Sequence, residues 1–166
     1  MKNSILMILL LVAVLAGLIW LGRPSSTLSE PKQNVTTVIA ETSLIPDKVF
    51  HDFGTISMKN GKVSTVYILT NNSDSVIKTS KLFTSCMCTS AKFVQAGKES
   101  DEFGMPGHGF VPSMERSIAP GESVQIVATF DPAAHGPAGV GVIERVVRLE
   151  TDAGATELNF RANVIP

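Results

Sequence analysis

Cys86 and Cys88 stand two positions apart in "TSCMCTS", around Met87, and they are the only cysteines in the chain. Thiolates are soft donors, and together with thioether and imidazole ligands they favour Cu(I), with Zn(II) the main competitor. On an extended strand, residues i and i+2 project to one face, so this spacing predicts two sulfurs side by side. Their Cα atoms would then lie about 6.6–6.8 Å apart, at the far limit of the roughly 4.4–6.8 Å that a disulfide spans. A bond there requires strain, and strained disulfides are easily reduced. Two parallel thiols suit a soft metal ion better.

The other soft donors are remote in sequence: His135 in "FDPAAHGPAG", and Met105 and His108 in "GMPGHG". Only the fold can bring them to the cysteines. After Pro46 the chain shows no helical period. It shows short segments that alternate apolar and polar residues, the signature of strands with one buried face. The clearest are Glu122–Phe130, with Val124, Ile126, Ala128 and Phe130 on one face, and Ala155–Val164, with Leu158, Phe160, Ala162 and Val164. Five more are expected at Val49–Ile56, Lys62–Thr70, Val76–Thr84, Cys88–Phe93 and Val142–Thr151. The breaks "KNGK", "NNSDS", "APGES", "DPAAHGPAG" and "TDAG" have turn composition. About seven strands at this spacing predict an all-β, Ig-like β-sandwich over residues 47–166.

Running such strands up and down places the end of the third strand, with Cys86, beside the exit of Glu122–Phe130, with His135. Met58 falls at the same end. Gln95–Ser117 carries no strand signal and is longer than an ordinary connection. It starts at the opposite end and reaches the cysteines only by folding back, in which case Met105 or His108 joins them. The expected metal ligands are therefore Cys86, Cys88 and His135, with Met105 and His108 as further donors.

"HDFGTI", the "NNS" turn, "TSCMCT", "IAPGESVQIVATFDP" and the final apolar strand together resemble the bacterial domain-of-unknown-function 1573 family, over roughly Val49 to Val164. That family is similar to the Ig-like modules of the major-sperm-protein and Hydin kind. The resemblance implies an extracytoplasmic Ig-like domain, often behind a signal or anchor, and carries no established activity. Met87, where Gly is common, and the long Gln95–Ser117 insertion depart from the family pattern.

The front of the chain agrees with that location. Ile5 to Leu21, "ILMILLLVAVLAGLIWL", is a run of 17 residues without charge, at the lower edge of the roughly 17–25 that span a bilayer as a helix. Lys2 precedes it, Trp20 suits the interface, and Arg23-Pro24 closes it. A cleaved signal would have a shorter apolar region and a small-x-small site, and "GLIWLGRP" offers no such site. Residues 1–22 are thus expected to be an uncleaved membrane anchor that holds the domain in the periplasm or at the cell surface. Residues 23–46, rich in Ser, Thr and Pro, are expected to be a flexible linker.

With a net charge of −1 and no two adjacent Lys or Arg residues, the chain lacks the basic face that nucleic-acid binding requires. No phosphate-cradling motif is present, and no Cys–His nucleophile signature, so no catalytic residues are expected. The reading that follows is of Cu(I), or less readily zinc, bound for capture or transfer at the cell envelope, with a metal-donor or metal-acceptor protein as partner. Two other readings stand beside it: a protein-interaction scaffold with incidental thiols, and a thiol-redox protein. The last lacks a Cys-x-x-Cys motif and a thioredoxin-like βαβ pattern.

Overall fold

Alternation becomes burial in the strand that shows it best. In Ser123–Phe130 the side chains of Val124, Ile126, Ala128 and Phe130 are buried, while Ser123 and Gln125 face solvent. The same holds in Gly154–Ile165, where Leu158, Phe160, Ala162 and Val164 are fully buried. The computed structural model describes residues 43–108 and 112–166. Within them lie ten strands: β1 (Leu44–Pro46), β2 (Phe50–Ser57), β3 (Val63–Asn71), β4 (Ile77–Thr84), β5 (Thr89–Gln95), β6 (Lys98–Glu99), β7 (Arg116–Ile118), β8 (Ser123–Phe130), β9 (Gly141–Thr151) and β10 (Gly154–Ile165).

They form two five-stranded sheets, ordered β1-β3-β8-β5-β6 and β2-β10-β9-β4-β7. All neighbours are antiparallel except β2 and β10, which run parallel with a register shift between Arg161 and Asn163. Gly54 lies in the stretch of β2 opposite that shift, with φ +67, a backbone conformation that a residue without Cβ adopts at little cost. Across the sandwich, Tyr67 of β3 is wholly buried and donates its hydroxyl to the Asn159 carbonyl of β10 at 2.7 Å, which satisfies the phenol and ties the sheets together.

The seven expected strands correspond to β2, β3, β4, β5, β8, β9 and β10. The sheet begins earlier than residue 47, because Leu44–Pro46 pairs with Leu69–Asn71 of β3 and Leu44 is fully buried. The expected anchor at 1–22 and most of the linker lie outside the described residues. Among the described residues no helix is long and apolar enough to cross a membrane.

The described residues of the 95–117 segment fold back. Gln95 and Val94 pair with Lys98 and Glu99, and Phe103 then exchanges both backbone hydrogen bonds with Ala91, at 2.8 Å each. The Gly104 carbonyl accepts from the Thr84 N–H, so the segment regains the cysteine end before β7 pairs with the start of β4. Phe103 and Met114, both 3% exposed, are its apolar plugs in the main core.

A second, smaller core cluster fills the cysteine end. Cys88, Phe130, Phe160, Ala162 and Val164 are buried there, and Phe53, Ile56, Met58, Val63, Cys86 and Ile143 pack against them.

Candidate metal centre

The two cysteines do not sit on a strand. β4 ends at Thr84 and β5 begins at Thr89, so Cys-Met-Cys occupies the turn between the sheets. Local polar groups account for this. The buried Thr84 hydroxyl donates to the Cys86 carbonyl at 3.0 Å and the Thr89 carbonyl at 2.9 Å, and the Thr89 N–H donates to the Cys86 carbonyl at 3.1 Å. Ser85 exchanges two hydrogen bonds with Val146 of β9, each 2.9 Å. The Cys88 carbonyl accepts from Asp131 N–H at 2.9 Å, which fixes the turn to the exit of β8. These bonds bend the chain where an extended pleat was expected.

The bend still gathers the sulfurs. The Cys88 N–H donates to Cys86 Sγ at 3.4 Å, and Cys86 Sγ lies 3.1 Å from His135 Nε2. His135 is held by the β8–β9 connection. The Asp131 carboxylate accepts from the Ala133 N–H, and the Ala134 and Gly136 N–H groups close successive turns around it. A short 3₁₀ turn, Gly136–Gly139, follows. Gly139 leaves room for the base of the His135 side chain, since a Cβ there would come within 3.2 Å of His135 Cβ and 3.6 Å of Met58 Cε.

The ligand atoms of Cys86, Cys88 and His135 all lie within 4.8 Å of one another. Metal–sulfur and metal–nitrogen bonds of about 2.3 and 2.0 Å set donors roughly 3.5–4.6 Å apart between tetrahedral and linear limits. The three donors thus lie close to the separations that binding one ion requires. Cys88 is buried, Cys86 half-buried and His135 exposed, so the site has an apolar floor and a solvent side.

A fourth group completes the site that the sequence reading overlooked. Arg145 Nε donates to Cys88 Sγ at 3.2 Å, and its Nη1 donates to the Glu144 carbonyl at 2.7 Å. Its signal was present in "VIERVVRLE". Ile143, Arg145, Val147 and Leu149 share the inward register of β9, and an arginine among three aliphatic residues is out of pattern.

Electrostatics split the two thiols. Burial works against a charge on Cys86. Hydrogen bonds from the Cys88 thiol and backbone N–H, the His135 contact and the Arg145 charge outweigh it and bring Cys86 down from 9.0 to about 7. Burial pushes the Cys88 thiol up, and the proton it shares with Cys86 adds to this, against the pull of Arg145 and Thr89. Both cysteines are free thiols.

Met105 and His108 are placed differently. They line a neighbouring groove with Met87, Thr89, Ser90, Glu102, Phe103 and Gly104, and His108 is not part of the Cys86–Cys88–His135 cluster. The thioether that packs on the cluster with the cysteines is Met58, from the 3₁₀ turn Met58–Asn60.

No family model matches the chain, and no curated protein matches it in sequence. Solved structures resemble it to different degrees, and one of them shares its fold at a TM-score above 0.5. A protein of unknown function from Porphyromonas gingivalis W83 superposes with a TM-score of 0.51 at 13% identity, over 78% of this chain and 51% of that one. The secreted serine protease VesC from Vibrio cholerae gives 0.47 at 13% identity, over 75% of this chain and 23% of that one. A PapD-like domain of human CEP192 gives 0.46 at 12% identity, over 75% and 86%. The chain thus spans about half the length of the first of these proteins and less than a quarter of the second. At such identities the likeness is one of fold alone.

Proposed function

We propose that this protein binds one soft metal ion, Cu(I) before Zn(II), through Cys86 Sγ, Cys88 Sγ and His135 Nε2. The domain would face outside the cytoplasm behind an N-terminal membrane anchor, and would capture the ion or pass it to a partner protein. The observation that carries the reading is the convergence of two thiols and an imidazole within 4.8 Å at one end of the sandwich. Three soft donors suit Cu(I), whereas structural zinc sites use four. Cys86 loses its proton near neutral pH, so little proton competition opposes the first metal–sulfur bond. The role is binding and hand-over, not catalysis.

The test is a titration of the reduced, metal-free full chain in detergent with Cu(I) against a chromogenic chelator. One equivalent should be withdrawn from the chelator, and Cys86→Ser should abolish this. A wild-type protein that leaves the chelator complex intact overturns the proposal.

A protein-interaction module is the second reading, supported by the outer face of the first sheet. Ile45, Val66 and Ile68 project there from β1 and β3 with 49%, 39% and 41% exposure, as an apolar strip that a partner could cover.

A further inference from the structure

Arg145 is the charged residue of the inward register of β9. Its cross-strand partner on β10 is Phe160, fully buried, and its neighbours along the same face are Ile143 and Val147. A guanidinium in such surroundings is ordinarily paired with a carboxylate. Among the described residues the ion pairs join Lys81 to Glu150, Lys92 to Glu99, and Arg148 to Glu150 and Glu157, and none involves Arg145. Its side-chain hydrogen bonds go to one backbone carbonyl and one sulfur. The positive charge is spent on the thiols.

Counting charge gives this arrangement a consequence for metal choice. Once both thiols have released their protons, two thiolates and a neutral imidazole carry −2, and Arg145 brings the ligand set to −1 before the ion's charge is added. A monovalent ion then makes the centre neutral, whereas a divalent ion leaves it at +1 on an apolar floor. Resting on the site assignment above, we propose that Arg145 is the selectivity residue of the centre. It acts as the fixed counter-charge that admits Cu(I) and disfavours Zn(II). It touches Cys88 Sγ and need not bind the ion. Its Nε–H bond orients that sulfur, while its charge repels a divalent ion twice as strongly as a monovalent one at the same place.

The experiment compares wild type, Arg145→Gln and Arg145→Lys as reduced full chains in detergent. Affinities for Cu(I) and Zn(II) are each read by competition with a chromogenic chelator. Arg145→Gln retains a hydrogen-bond donor and removes the charge, so it should shift the Cu(I)/Zn(II) affinity ratio towards zinc by about tenfold to a hundredfold. Arg145→Lys keeps the charge and should hold the ratio within about threefold of wild type. Thermal melts confirm that each variant is folded, and the ratio cancels any loss common to both ions. Equal weakening of both metals in Arg145→Gln would show a merely steric support and overturn the selectivity role while leaving the site intact. A wild-type chain that binds neither ion overturns both proposals at once.

Discussion

Cys86 should react as a nucleophile at neutral pH, and the size of the effect follows from its surroundings. With its pKa brought from 9.0 to about 7, the thiol is about half ionised at pH 7, against about 1% for an unperturbed group. The gain in thiolate is about fiftyfold. A less basic thiolate is also a weaker nucleophile, and a Brønsted coefficient of about 0.4–0.5 removes roughly six- to tenfold over two pK units. The net expectation is alkylation at pH 7 about five- to eightfold faster than that of an ordinary exposed cysteine. The assay treats the reduced, metal-free full chain with limiting iodoacetamide between pH 5 and 10 and locates the label by fragment mass spectrometry. The label should fall on Cys86 first, with a rate that rises through a midpoint near 7. His135→Ala removes one of the stabilising contacts and should move that midpoint upwards. A midpoint near 9, or equal labelling of Cys86 and Cys88, would refute the assigned hydrogen-bond pattern around the sulfurs.

Two further outcomes test the frame of the site. Thr84→Val keeps the shape of a buried side chain and removes the donor to the Cys86 and Thr89 carbonyls. Chemical denaturation should report a loss of about 1–3 kcal/mol, and Cu(I) affinity should fall with it. Gly139→Ala places a methyl group against His135 Cβ and Met58 Cε. It should weaken Cu(I) binding several-fold with little change in the melting temperature, as measured by chelator competition and calorimetry.

The long strands were legible because a sandwich strand writes its two faces into alternate residues, as Val124 to Phe130 and Leu158 to Val164 do. β1, β6 and β7 were not, since two or three residues are too few to show a period. The meeting of Cys86 with His135 followed from strand direction alone: β4 and β8 both deliver their exits to one end. The path between Cys86 and Cys88 did not. Its bend depends on where the Thr84 hydroxyl and Ser85 find partners, and β9 supplies those of Ser85 from 61 residues away. Arg145 was readable in principle, but an inward arginine gains meaning only once a sulfur is known to face it.

The short strands β6 and β7 have a bearing on the borders of the two sheets. Without them, β4 and β5 would be the outer strands on that side of the two sheets, each with a row of unpaired amides able to recruit another chain. Strips of two and three residues now line those borders, too short to template a lasting intermolecular ladder. These two strips thus work as a selvedge, finishing the weave where an open border would invite a further strand.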